Sequence, residues 1–217
     1  MFVPQVSILP EPQRRLWSEL SDTPKAFVLY GGTALALRLG HRQSVDFDFF
    51  SNAPFQAASL RESIPYLKHA EMSQFQANTL TAIVDRNGSV KVSFFESLGM
   101  KRVQDPDIVE ENGIQVASAL DLLASQLKTI QMRAEARDYR DILATLASGL
   151  NLEEGLAAAA AIYGKEFNGA LSLKALTFFS DGDLPSLPAE LQDRLRKAAT
   201  GVNLKQLPLV SARPGLI

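Results

Sequence analysis

Asp46 and Asp48 stand two residues apart in Ser44–Phe50, a segment that alternates strictly in polarity. On a strand, residues i and i+2 share a face, with Cα atoms roughly 6–7 Å apart. Both carboxylates then converge on one point, while Val45, Phe47 and Phe49 fill the opposite side. Like charges held this close are unfavourable unless a cation lies between them. Oxygen ligands of this kind suit Mg²⁺, which takes one or two carboxylates and completes its shell with substrate phosphates. Upstream, Gly31-Gly32-Thr33 follows an apolar run. Its glycines let a backbone approach a ligand closely, and the amides of a helix starting there, with the Thr33 hydroxyl, would face a phosphate. Each half alone is more often just a tight turn or a solvated strand face. Together, at this spacing, they describe a metal and phosphate site.

The elements that must position these residues follow from pattern and punctuation. Pro10-Glu11-Pro12 opens a helix over Gln13 to Leu20 that ends near Ser21–Pro24. Ala26–Tyr30 reads as a buried strand, Thr33–Leu39 as a short helix stopped by Gly40, and Ser44–Phe50 as the return strand. A helix over 55–63 precedes strand-like runs at 67–74, 79–85 and 90–95, the last two joined by the hairpin turn Asp85-Arg86-Asn87-Gly88. A short strand at 114–117 leads into helices from Ala119 onward. The alanine run within Leu156–Ile162 permits close helix packing, an amphipathic helix covers 189–199, and the tail 207–217 is expected to be loosely held. The pattern predicts an α/β (α+β) protein: a mixed-sheet core over 1–117 and a helical C-terminal region over 118–217 packed on it.

Composition narrows the chemistry. With 217 residues, 46% of them apolar, the chain can bury a core without cross-links. It has no cysteine and two histidines, His41 and His69, so thiolate metal sites are excluded and zinc chemistry is disfavoured. No apolar run approaches a membrane span, and no secretory leader is visible, which sets a cytoplasmic expectation. A net charge of −2 argues against non-specific coating of nucleic acid. Arg102, Lys128, Arg133, Arg137 and Arg140 remain as material for a local basic patch.

The stretch Gly31-Gly32-Thr33-Ala34-Leu35-Ala36-Leu37, followed by Gly40-His41-Arg42-Gln43-Ser44-Val45-Asp46-Phe47-Asp48-Phe49-Phe50, resembles the first signature of the AbiEii/AbiGii-type nucleotidyltransferase toxins. These belong to the DNA polymerase β-like nucleotidyltransferase superfamily. A later part of the pattern is matched by Lys128, Arg133 and Arg137-Asp138-Tyr139-Arg140-Asp141-Ile142. The resemblance spans about Tyr30 to Leu146. It implies a nucleotidyltransferase-fold mixed sheet with flanking helices, in which Asp46 and Asp48 hold Mg²⁺ against an NTP. Gly31, Gly32 and Thr33 would contact its phosphates, with Arg42 and Ser44 of the same motif in the nucleotide-binding set. Lys128 would pair with the triphosphate, and Asp138 or Asp141 would complete the later motif, Asp138 being counted with the catalytic residues. The implied activity is Mg²⁺-dependent nucleotide transfer to an acceptor, RNA and above all tRNA, by a toxin restrained by a cognate antitoxin.

One position departs from the superfamily pattern. A third carboxylate generally stands on a neighbouring strand, and the aligned residue in Val90–Phe95 is Ser93. Glu96 lies on the other side of that strand unless a bulge intervenes. Either catalysis runs on fewer carboxylates, or the chain is a degenerate nucleotide- or RNA-binding protein on the same fold. Other residues have plain structural readings. Asp138 and Asp141 suit a capping box opening a helix, Lys128 a snorkelling surface lysine, and the three arginines a solvated, ion-paired helix face. Arg42 suits a neutralising cation beside the aspartates, and Trp17 and the phenylalanines suit the core.

Overall fold

Alternation along Asp46–Ser51 produces a strand with two unlike faces: Phe47 and Phe49 are fully buried, while Asp46 and Asp48 are only partly so. Phe49 stacks on Phe94 at 5.4 Å, Phe94 meets Phe27 edge-on at 5.0 Å, and Trp17 lies 6.5 Å from Phe47. Burying each such ring contributes roughly 2–3 kcal/mol, and this aromatic layer fixes which side of the strand stays open. The computed structural model describes residues 2–217.

In chain order the elements are α1 (Glu11–Trp17), β1 (Val28–Tyr30), α2 (Gly31–Leu39), β2 (Asp46–Ser51), α3 (Ala57–Ser63), β3 (Glu71–Gln76), β4 (Thr79–Asp85), β5 (Ser89–Glu96), β6 (Lys101–Arg102), β7 (Asp107–Ile108) and β8 (Gln115–Val116). Five helices follow: α4 (Ala119–Thr129), α5 (Ala136–Ala147), α6 (Leu152–Tyr163), α7 (Gly169–Ala175) and α8 (Ala189–Thr200), with β9 at Arg213–Pro214. Seven strands form one mixed sheet in the order β3-β4-β5-β2-β1-β8-β7. β2 runs antiparallel to β1 and parallel to β5, and β1 runs parallel to β8. The β4–β5 hairpin turns at Asn87 and Gly88, both at positive φ, as the Asn-Gly dipeptide predicts.

The chain divides into two compact units. The first runs to Met100 and adds Asp105–Ser118 and Pro214–Ile217, so it holds the whole seven-stranded sheet. The tail is not loose: Leu216 is 1% exposed, and its amide donates to Asn52 Oδ1. Asn52 in turn donates to the carbonyls of Ser97 and Met100, at 3.2 and 2.9 Å. The second unit comprises Lys101–Gln104 and Ala119–Arg213. Its core joins Leu123, Leu127, Tyr139, Ile142, Leu156 and Leu195 from α4, α5, α6 and α8 with Phe179 from the segment after α7. A smaller cluster sets Ala158 and Ala159 against Leu120 and Ala124, so the alanine run does serve close packing of α6 on α4. Gly155 belongs to the same contact, since a Cβ there would lie 2.6 Å from Leu123 Cδ2 and 2.9 Å from Leu127 Cδ1.

Candidate active site

β1 delivers the chain to the site. Tyr30, its last residue, stands in register with Asp48 of β2. Gly31 follows at φ +75°, a left-handed conformation that glycine adopts without steric cost. That turn lets α2 begin at once, two residues earlier than the sequence predicts, with both glycines in its first turn. A Cβ on Gly31 would lie 3.5 Å from Asp48 Oδ2, so the carboxylate reaches the start of the helix. The first amides of a helix have no acceptor within it, and the side chain of the N-cap residue, Tyr30, makes no capping hydrogen bond to them. Gly40 closes α2 in the left-handed conformation, as predicted.

Thr33 differs from expectation. It is 3% exposed, and its hydroxyl bonds Ser44 Oγ at 2.7 Å and donates to the Asp46 carbonyl. The hydroxyl is therefore turned to the protein and latches α2 to the start of β2; only its amide is left to serve a phosphate. Ser44 is drawn into the same latch. Arg42 donates to the Gln43 carbonyl at 2.9 Å in the loop between α2 and β2.

β5 completes the face. Asp46 is in register with Lys91, and Asp48 with Ser93. The Lys91 ammonium lies 3.8 Å from Asp46 Oδ2. Ser93 is fully buried, and its hydroxyl has no hydrogen-bond partner. Register continues unbroken to Ser51↔Glu96, so Glu96 faces the other side and no bulge brings it round. On β4, the positions beside Lys91 and Ser93 are Ile83 and Thr81. Lys91 escaped notice in the sequence, although the two-residue period that puts Ser93 on this face puts Lys91 there too.

Among the described residues, no group of three or more acidic or histidine side chains is arranged to enclose a metal ion. Two carboxylates on one face still fit Mg²⁺ when substrate phosphates supply the remaining oxygens. The orphaned Ser93 hydroxyl beside Asp48 points the same way, because a buried hydroxyl left unpaired is a costly feature to keep.

The later motif lies in the second unit. Lys128, in the last turn of α4, donates to the Glu166 carbonyl. Asp138 is 2% exposed and takes two hydrogen bonds from Arg133, at 2.8 and 3.0 Å. Its expected role in a capping box is not observed: α5 starts at Ala136, Glu135 is the N-cap, and the Ala136 amide is held by Asp183 Oδ1 at 2.6 Å. Asp141, fully buried, accepts from Gln126 at 3.3 Å. The three arginines do not form one helix face either, since Arg133 precedes α5, where it pairs with Glu135 and Asp138. Arg137 pairs with Glu135 at 2.6 Å.

A strand, a Gly-Gly helix start and an Asp-x-Asp strand, set side by side in a mixed sheet, define a nucleotidyltransferase fold. The chain matches the family described as nucleotidyl transferase AbiEii toxin of type IV toxin–antitoxin systems over residues 15–208, and it belongs to that family. It is 33% identical over 118 residues to an uncharacterised protein of Aquifex aeolicus (strain VF5), a match covering 54% of this chain and 55% of that protein. The chain thus spans about half the length of that curated relative. Among solved structures it is similar to MenT4, a nucleotidyltransferase toxin from Mycobacterium tuberculosis H37Rv, with a TM-score of 0.60 and 18% identity, covering 89% of this chain and 83% of that one. A candidate nucleotidyltransferase from H. pylori gives a TM-score of 0.50 at 20% identity, covering 88% and 91%. At these identities the likeness is one of fold.

Proposed function

We propose that this protein is a cytoplasmic, Mg²⁺-dependent nucleotidyltransferase that moves a nucleotide from an NTP to an RNA acceptor, tRNA above all. It would act as the toxin of a toxin–antitoxin pair, held in check by a cognate antitoxin protein. The observation that carries this reading is the juxtaposition of Asp46 and Asp48 with the start of α2, where Asp48 Oδ2 comes within 3.5 Å of a Gly31 Cβ position. Carboxylates beside the start of a helix suit the two ends of a metal-bound triphosphate.

In the reaction an acceptor hydroxyl oxygen forms a bond to the α-phosphorus. The bond from that phosphorus to the β-bridging oxygen breaks, pyrophosphate leaves with the electron pair, and the acceptor proton is released to solvent. Such transfers need positioning and charge neutralisation more than covalent help. The amides of Gly31, Gly32 and Thr33 would bind phosphate oxygens, while Arg42 and Ser44 shape the loop that leads into β2. Asp46 and Asp48 would hold Mg²⁺, which supplies Lewis-acid polarisation of the phosphoryl oxygens when bound. Lys128 would serve the triphosphate charge. Asp138 would act by holding Arg133, because both of its oxygens are committed to that guanidinium.

The test is incubation of the protein with Mg²⁺, each labelled NTP and total tRNA, beside the Asp46→Asn/Asp48→Asn variant. Label transferred to RNA, and reduced at least about 10³-fold in the variant, supports the transferase. The Ser93 position favours one alternative, a nucleotide-binding protein without transfer. Metal-dependent NTP binding with no labelled product would establish that instead.

A further inference from the structure

The acidic pair has a cation and a hydroxyl beside it on β5. Lys91 is in register with Asp46 and Ser93 with Asp48, on the same face of the sheet. The Lys91 ammonium stands 3.8 Å from Asp46 Oδ2, with the two side chains 45% and 32% exposed, so the contact is open to solvent. Ser93 Oγ is buried with no hydrogen-bond partner. Neither β4 nor β5 offers a carboxylate to this face at these positions, which are held by Thr81, Ile83, Lys91 and Ser93.

Charge decides what such a face can hold. Three carboxylates carry three negative charges and call for two divalent cations. Two carboxylates and an ammonium carry one net negative charge. The difference between the two arrangements is two charges, that of a single divalent ion. We propose that Lys91 stands in for a second metal ion, so that the face takes one divalent cation with its nucleotide, and the Ser93 hydroxyl is the donor that pairs when the site fills. This rests on the reading of Asp46 and Asp48 as metal ligands.

Mn²⁺ can be counted by the electron paramagnetic resonance signal of the free ion, in the presence of a non-hydrolysable NTP analogue. The expected result is one Mn²⁺ per chain in the wild type and two in Lys91→Glu. Without nucleotide, Lys91→Gln should bind Mn²⁺ about fivefold more tightly, since a neighbouring positive charge no longer repels the metal. Two ions in the wild type, or one in a folded Lys91→Glu, would overturn the proposal. Should Lys91→Glu fail to fold, unchanged Mn²⁺ affinity in Lys91→Gln overturns it equally. Failure of the underlying reading is distinct: any Mn²⁺ bound would survive in Asp46→Asn/Asp48→Asn, leaving no acidic-pair metal for Lys91 to complement.

Discussion

Asp46 and Asp48 owe their availability to Phe47 and Phe49. The phenylalanines lock β2 into the core, and the carboxylates are left partly exposed on the other face. Exchanging both for asparagine should therefore remove metal-dependent activity while shifting stability by no more than about 1 kcal/mol, read as a urea midpoint moved by no more than about 0.5 M. Asp138 is the opposite case. Its carboxylate is 2% exposed and depends on Arg133. Arg133→Ala should cost roughly 1–3 kcal/mol by stranding that charge, and Arg133→Ala/Asp138→Asn should recover part of the loss in a double-mutant cycle. The polarity alternation around Asp46 was legible because a strand's period is local. The partners of Asp46 and Asp138 were not. Lys91 arrives through a parallel pairing between strands far apart in sequence, and Arg133 through a bend that places it before α5 rather than within it.

At the scale of elements, α2 and the α4–α6 pair show two uses of glycine. Gly31 supplies the backbone turn that lets α2 start beside Asp48. Gly155 instead supplies room. A methyl group there would sit 2.6–2.9 Å from Leu123 and Leu127 side-chain carbons, too close without displacement. Gly155→Ala gains about 1 kcal/mol of helix propensity but forces overpacking that costs typically about 1–3 kcal/mol. Net destabilisation is expected, measurable by denaturant titration; a more stable variant would show that α4 and α6 have slack. The alanine run announced close packing in advance, though Gly155 beside it was not singled out. It did not say which helix would be the neighbour, because that choice is made by tertiary contacts of Leu123 and Leu127.

For the whole molecule, buried tyrosines in both units tie stability to alkaline pH. Burial pushes Tyr139 up to about 12, with Asp138 and Asp181 adding to the shift, and burial raises Tyr66 as well. Below about pH 10 the phenols are protonated in folded and unfolded chains alike, and their contribution is complete. Above it the unfolded chain ionises first, so stability should fall by roughly 1 kcal/mol per pH unit for Tyr139 until its folded pKa is passed. Denaturant midpoints at pH 8 and 11 check this, and Tyr139→Phe should show a shallower decline. A pH-independent midpoint in the wild type would refute it. The family and the sheet were readable from one motif, but the anchored tail was not, since Leu216 is held by an asparagine far away in the sequence. That anchor has a consequence for synthesis. The sheet unit takes in Leu216 only after the ribosome has made all of Ala119–Arg213, at roughly 5–20 residues per second. For those seconds the nascent sheet carries the Asp46 face while its Leu216 socket stands empty, so the order of translation makes the tail the last piece of that unit to be fitted.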